Sequence, residues 1–170
     1  MENFEEILQT HGDYIVRLCY TYTKDWQMAE DLTQETFLRF YAAREKFRHE
    51  ADVNTYLYRI AVNRCKTYLA SWRYKQTQLI ELGQKLIAKE DVALQVEQKE
   101  ESMRLYEKIQ KLPVKYREVL VFYHYLDWTT AQIAELFGCS ENTIKTRLRR
   151  ARQQLGQLLE EEGVMNGSDY

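Results

Sequence analysis

TTAQIAELFGCSENTIKTRLRRARQQL, residues 129–155, reads as two helices joined by a short turn. Thr129 is placed to cap the first, with Gln132 three residues on to reach back to the capping amide; Ile133, Ala134, Leu136 and Phe137 supply its apolar face. Gly138 ends that helix, because glycine takes up the left-handed conformation of a sharp exit at little cost. Ser140 then offers a hydroxyl to the free amides of the next helix. In the second helix Ile144, Leu148, Ala151 and Leu155 recur on one face, leaving Asn142, Thr143, Lys145, Thr146, Arg149, Arg150 and Gln153 on the other. A basic helix face is often only solvated surface. This one follows a glycine turn and mixes cations with small polar residues, which suits the size and chemistry of a DNA major groove. A helix-turn-helix that binds duplex DNA is the expectation.

Upstream of this unit, a helix from Pro113 to about Tyr125 packs Val119, Leu120 and Phe122. An earlier one from about Ser102 carries Met103, Tyr106, Ile109 and Leu112, and Pro113 either stops it or starts its successor. Between Gln76 and Glu101 the apolar pattern weakens. Six carboxylates stand there against three lysines, a net charge of −3, so the stretch reads as an acidic, Gln-rich linker with a helical turn around Leu82 to Ile87.

Before the linker lies the longest helix of the N-terminal half, TYLYRIAVNRCKTYLASWRYK. Leu57, Ala61, Cys65, Tyr68 and Trp72 form its apolar stripe, while Arg59, Asn63, Lys66 and Arg73 line a polar, positive face. Tyr56, Tyr58, Tyr68, Trp72 and Tyr74 are interleaved with the cations, and rings beside cations suit unpaired bases. Tyr68 and Trp72 share the apolar stripe and are expected in the core. A polar connection, FRHEADVN, joins this helix to one running from about Trp26 to Arg44, capped by Asp25. Its buried side is Ala29, Leu32, Thr36 or Phe37, and Phe40; Glu30, Asp31, Gln34, Glu35 and Leu38 lie elsewhere. That acidic face suits water and a partner's basic surface equally. The first helix, about Phe4 to Thr23 with a bend near Gly12, places Ile7, Leu8, Tyr14, Ile15, Leu18, Cys19 and Tyr22 at helical spacing. The tail from Glu160 is acidic, then small and polar, and is expected to fray.

Composition agrees with helices throughout: a single Pro and six Gly in 170 residues, with 45% hydrophobic residues, leave few breakers. The expected fold is all-α. It comprises two small helical domains, 1–75 and 102–160, joined by the flexible acidic linker 76–101 and followed by a tail, 161–170. Net charge is only −2, but Arg59 to Lys75 holds five cations and no acid, and Ser140 to Leu155 holds five against Glu141 alone. That asymmetry steers two faces toward phosphate. Cys19, Cys65 and Cys139 are far apart in sequence and odd in number, so packing is expected of them rather than disulfides or zinc. His11, His49 and His124 are equally scattered. No glycine-rich phosphate loop, metal-ligand cluster or local nucleophile-base pairing appears, so neither an enzyme nor a cofactor is expected. No apolar run nears the roughly 18 residues of a membrane span, and MENFEE is unlike a signal peptide, so a soluble, cytoplasmic chain is expected.

Three segments in order resemble bacterial sigma factors of the sigma-70 class, in the small extracytoplasmic-function group that retains regions two and four. AEDLTQETFLRFY resembles region 2.2, FRHEADVNTYLYRIAVNRCKTYLASWR regions 2.3 and 2.4, and LPVKYREVLVFYHYLDWTTAQIAELFGCSENTIKTRLRRAR region four. The resemblance implies that Asp31, Gln34, Glu35 and Leu38 dock on the clamp helices of the largest subunit of core RNA polymerase. It assigns Phe47, Arg48, Asn54 and Asn63 to opening the minus-ten element and capturing a flipped base, a step that costs a few kcal/mol of stacking. Arg59, Lys66 and Arg73 would hold phosphates there. In region four Lys145, Arg149 and Arg150 would meet base edges and nearby phosphates of the minus-thirty-five element, and Asn142, Thr143, Thr146 and Arg147 mainly the backbone. A one-residue rotation of the helix exchanges those two groups. The same resemblance implies contact with the flap of the second-largest subunit, a linker threading toward the RNA exit path, and an anti-sigma factor as inhibitor. This chain departs from the common pattern at His49, Tyr56 and Trp128, where Gly, Trp and a small residue are usual. The competing reading is a helix-turn-helix regulator that binds duplex DNA alone.

Overall fold

In a computed structural model, residues 3–44, 52–81 and 100–166 are described, and all regular structure among them is helical. The chain divides into two compact units, Met1–Ala93 and Leu94–Tyr170. The first is a bundle of α1 (Phe4–Thr23), α2 (Trp26–Ala43) and α3 (Val53–Glu81), each packed on the other two. In the second, α7 (Glu141–Asn166) packs against α4 (Glu100–Lys111), α5 (Val114–Leu120) and α6 (Thr130–Phe137), with a π-helical turn, Val121–Tyr125, between α5 and α6. No described helix is long and apolar enough to cross a membrane.

α1 runs as one helix through Gly12. Ile7, Ile15, Leu18, Cys19 and Tyr22 are buried as their spacing predicts, whereas Leu8 and Tyr14 stay exposed. Lys24 closes α1 in the left-handed conformation, and Asp25 caps α2 by accepting the Met28 amide at 3.1 Å. Tyr20 and Trp26 stack across this turn with centroids 4.0 Å apart. The inner face of α2 is the expected one: Ala29, Leu32, Thr36, Phe37 and Phe40 are all buried.

α3 is longer than its sequence pattern suggests at both ends. It begins at Val53 and continues to Glu81, so the acidic segment starts inside a helix. Gln, Leu and Glu are good helix formers and nothing in QTQLIE breaks the helix, even though its apolar period has faded. The turn expected around Leu82 to Ile87 lies outside the described residues. At about 1.5 Å per residue, 29 residues of α3 reach well past the 18 of α2. Leu57, Ala61 and Cys65 are buried and Tyr68 half-buried, but Trp72 is 45% exposed rather than in the core. Its stripe is correct, yet the helix has outrun its described partners.

In the second unit Phe122 is wholly buried, edge-on to Trp128 (5.1 Å) and Phe137 (5.6 Å), and Val119, Ile133, Ile144 and Ala151 are wholly buried too. Pro113 sits at the N-cap of α5, where its missing amide costs nothing. The helix expected from Pro113 to Tyr125 ends in the wide turn, where the Leu126 amide donates to the Val121 carbonyl at 3.0 Å. α7 also outlasts the expectation that the chain frays from Glu160: glutamates at 160–162 favour the helix, which continues through Gly163 to Asn166.

Two features link residues far apart in sequence. Cys19 and Cys65 bring their thiols into contact between α1 and α3; the bond to Cys19 and then burial push the Cys65 thiol well above the usual range. Glu118, almost fully buried, faces Arg147 at 3.8 Å.

Candidate nucleic-acid interfaces

The second unit builds its site on local rules. Thr129 accepts the Gln132 amide at 3.2 Å while the Gln132 side chain accepts the Thr129 amide at 2.9 Å, which closes the capping box. Gly138 ends α6 at φ 63°, and a Cβ added there would meet nothing within 4 Å, so backbone conformation alone requires the glycine. Ser140 accepts the Thr143 amide at 3.2 Å and starts α7. A second tie crosses the turn, where Thr130 Oγ1 donates to Glu141 at 2.6 Å and Lys145 pairs with the same carboxylate at 3.0 Å. The Thr130 hydroxyl, then Lys145, hold the Glu141 carboxyl below the usual carboxylate range.

With Ile144, Leu148 and Ala151 inward, helical geometry puts Asn142 and Thr146 at the centre of the outer face, with Arg149 and Arg150 about 50° to either side and Lys145 further round. Arg147 lies only about 60° round from Ile144, which is why it reaches Glu118. Thr143, Thr146, Arg147 and Arg150 also line a groove of about 370 Å³ whose other wall is Lys115 and Tyr116 of α5. Lys115 is a cation that helix spacing within 129–155 could not supply. Arg152 instead turns back to the π-helical turn, its guanidinium 5.5 Å from the Tyr123 ring and 3.4 Å from His124.

In the first unit Asn63 is exposed on the arc of α3 that also carries Arg59 and Lys66. It opens on a cleft of about 510 Å³ lined by Arg39, Ala42 and Ala43 of α2 and by Tyr56, Ile60, Arg64 and Thr67 of α3. The half-buried Tyr56 ring leans on Phe40 with centroids 6.1 Å apart. Asn54 is not on this face. It occupies the first turn of α3, about 180° round from Asn63, with its Oδ1 buried and unbonded. Phe47, Arg48 and His49 lie outside the described residues, and only the backbone of Arg73 is described.

The residues expected to meet polymerase share one side of α2. Asp31, Gln34 and Leu38 are exposed, Leu38 at 70%. Glu35 differs, because its carboxylate is held internally by Arg39 (2.9 Å) and by Arg64 of α3 (3.0 Å). Among the described residues no group of His, Cys, Asp and Glu could hold a metal ion.

Comparison with known proteins bears on this arrangement. Residues 7–74 match the family model described as Sigma-70 region 2, and residues 102–155 that described as Sigma-70, region 4. The chain is 30% identical over 164 residues to the ECF RNA polymerase sigma factor SigW of Bacillus subtilis, covering 89% of this chain and 86% of that protein. It is 33% identical over 153 residues to the ECF RNA polymerase sigma factor SigM of the same organism, covering 89% and 91%. In fold it is similar to the sigma factor RpoE in its complex with the anti-sigma factor NepR from Bartonella quintana. That match has a TM-score of 0.77 and 19% identity, and covers 94% of this chain and 98% of that one.

Proposed function

The chain belongs to the extracytoplasmic-function sigma factors of the sigma-70 family, and from that footing we propose how its two faces divide the work of directing RNA polymerase to promoters. Like other members of its family it supplies specificity and strand opening, and the chemistry of RNA synthesis stays with the polymerase. The observation that carries the division is the pair of polar, cationic helix faces in separate units, one on a helix-turn-helix and one beside a cleft. Base edges in a major groove are read by a protruding helix, whereas an unstacked base needs a concavity.

The α7 face reads the minus-thirty-five element as duplex. Asn142 and Thr146, at its centre, and Arg149 and Arg150 on either side of them meet base edges and nearby phosphates; Lys145, further round, with Thr143, meets edges and phosphates; Arg147 positions α7 through Glu118 and reaches the backbone. The α3 face opens the minus-ten element. Asn63 presents a donor and an acceptor to a flipped base, and Arg59, Lys66 and Arg73 hold phosphates. Phe47, Arg48 and Asn54 belong to the loop side of that capture. Asp31, Gln34, Glu35 and Leu38 dock on the clamp helices of the largest polymerase subunit, the second unit meets the flap, and an anti-sigma factor of the kind in the RpoE complex holds the chain inactive in the cytoplasm.

Run-off transcription by bacterial core polymerase on fragmented genomic DNA, with and without the chain, tests this reading. New discrete starts are expected only when the chain is present. A chain that neither co-elutes with core polymerase nor yields starts, yet binds a duplex site alone, is a regulator instead.

A further inference from the structure

The minus-ten cleft contains two arginines that the pattern of α3 does not single out, and an acid that joins them. We propose that Arg64 and Arg39 are phosphate-binding residues for the single strand opened at the Asn63 cleft, and that Glu35 is the positioning residue that sets both guanidiniums there. The inference rests on the promoter-opening role argued above and deepens it.

The geometry is a shared carboxylate. Arg39 Nε donates to Glu35 Oε1 at 3.0 Å with its Nη2 at 2.9 Å from the same oxygen, while Arg64 Nη2 lies 3.0 Å from Oε1 and donates to Oε2 at 3.1 Å. Both arginines line the cleft. Two cations on one anion leave a positive charge in excess, so the group attracts phosphate instead of closing on itself. A tie between α2 and α3 would need only one of them.

Neither guanidinium is saturated. Each has five N–H donors, and among the described residues neither Nη1 group donates to a protein acceptor. Arg64 Nε is buried with no partner, so the side chain is held by one nitrogen of three. The rest of the cleft completes a nucleotide site. Asn63, next to Arg64 and about 100° from it round the helix, offers hydrogen bonds to a base edge. The Tyr56 ring offers a stacking surface, and Ala42 and Ala43 leave space. Base reader and cations thus sit on adjoining walls, as the base and phosphate of one nucleotide require. A planar guanidinium fork also suits phosphate oxygens.

The test measures binding of the polymerase assembled with the full chain to a fluorescent forked promoter whose minus-ten strand is single, across a salt series. Arg64→Ala and Arg39→Ala are each expected to weaken binding about three- to tenfold at low salt. Each should also make the slope of log affinity against log salt shallower by about 0.7, the single-strand value for one phosphate. Arg64→Gln, which keeps the aliphatic stem, guards against loss of folding and is expected to match Arg64→Ala. Glu35→Gln is expected to keep the parent slope but lose about threefold in preference for the minus-ten strand over a scrambled one, and Glu35→Asp to restore it in part. Affinity for core polymerase, measured separately, isolates any docking role of Glu35. Parent slope and affinity in both arginine variants overturn the phosphate role. A Glu35→Gln effect confined to core affinity overturns the positioning role. If the parent assembly binds no fork at all, the promoter-opening reading falls and takes this inference with it.

Discussion

Asn63 and Arg149 each stand on the exposed arc of a helix whose opposite side is locked into a core, so replacing either removes a contact without removing a fold. A side chain paired with one base edge discriminates by about 1–3 kcal/mol. Asn63→Ala should therefore lose that much preference at a single minus-ten position, measured as open-complex formation on promoters substituted base by base; uniform loss at every position would exclude base reading. Arg149→Ala should relax the minus-thirty-five element in the same way. Glu141 makes a different prediction. Its lowered pKa means that the contribution from Thr130 and Lys145 is present above the carboxyl's unfolded-state value and is lost as pH falls through the folded one. At neutral pH the pair stands and partly neutralises Lys145, so Glu141→Gln should raise affinity for non-specific duplex a few-fold, read by fluorescence anisotropy. Asn63 and the α7 cations were legible because helical spacing alone gathers them on one face. Arg39 and Lys115 were not, because each joins its site from a different helix, and no spacing encodes which helices meet; Arg64 lies about 100° round α3 from Asn63 and is tied to the cleft by Glu35 of α2.

Helix ends were the most legible elements where a specific residue supplies the cap, and the least where none does. Thr129 with Gln132 and Asp25 cap through their side chains, and Gly138 through the left-handed backbone that its lack of one allows. Thr129→Ala should cost about 1 kcal/mol through loss of the cap. Gly138→Ala should cost about 1–2 kcal/mol, since a left-handed residue gains a Cβ. Urea unfolding of the second unit checks both, and no change in midpoint for Gly138→Ala would mean that the turn readjusts. α3 runs on past the fading of its apolar pattern because good helix formers continue without a stop signal, and α7 runs on through Gly163 to Asn166. Periodicity reports burial, and a helix end that leaves its neighbours has none to report. The π-helical turn had no sequence sign either; its Phe122 seats against Trp128 and Phe137, contacts made only once the turn and α6 are assembled.

At the scale of the whole molecule, the all-helical class was legible from breaker content and the two basic helix stretches, Arg59 to Lys75 and Ser140 to Leu155, from charge distribution; residues 82–99 lie outside the described residues. Each unit has its own apolar centre, Leu18 with Leu57 and Ala61 in one, Phe122 with Ile133 and Ile144 in the other. Ile144→Ala should accordingly cost the second unit about 2–5 kcal/mol, seen in hydrogen exchange of α5 to α7 amides. Equal loss of protection throughout α1 to α3 would mean that the units unfold as one. The sulfurs fall on the same division. Cys19 and Cys65 are sealed inside the first unit, while Cys139 is partly open at the turn of the second. An alkylating reagent therefore finds one reactive site on the folded chain and three once the bundle has opened, so the mass of the labelled product tells whether the first unit has come apart.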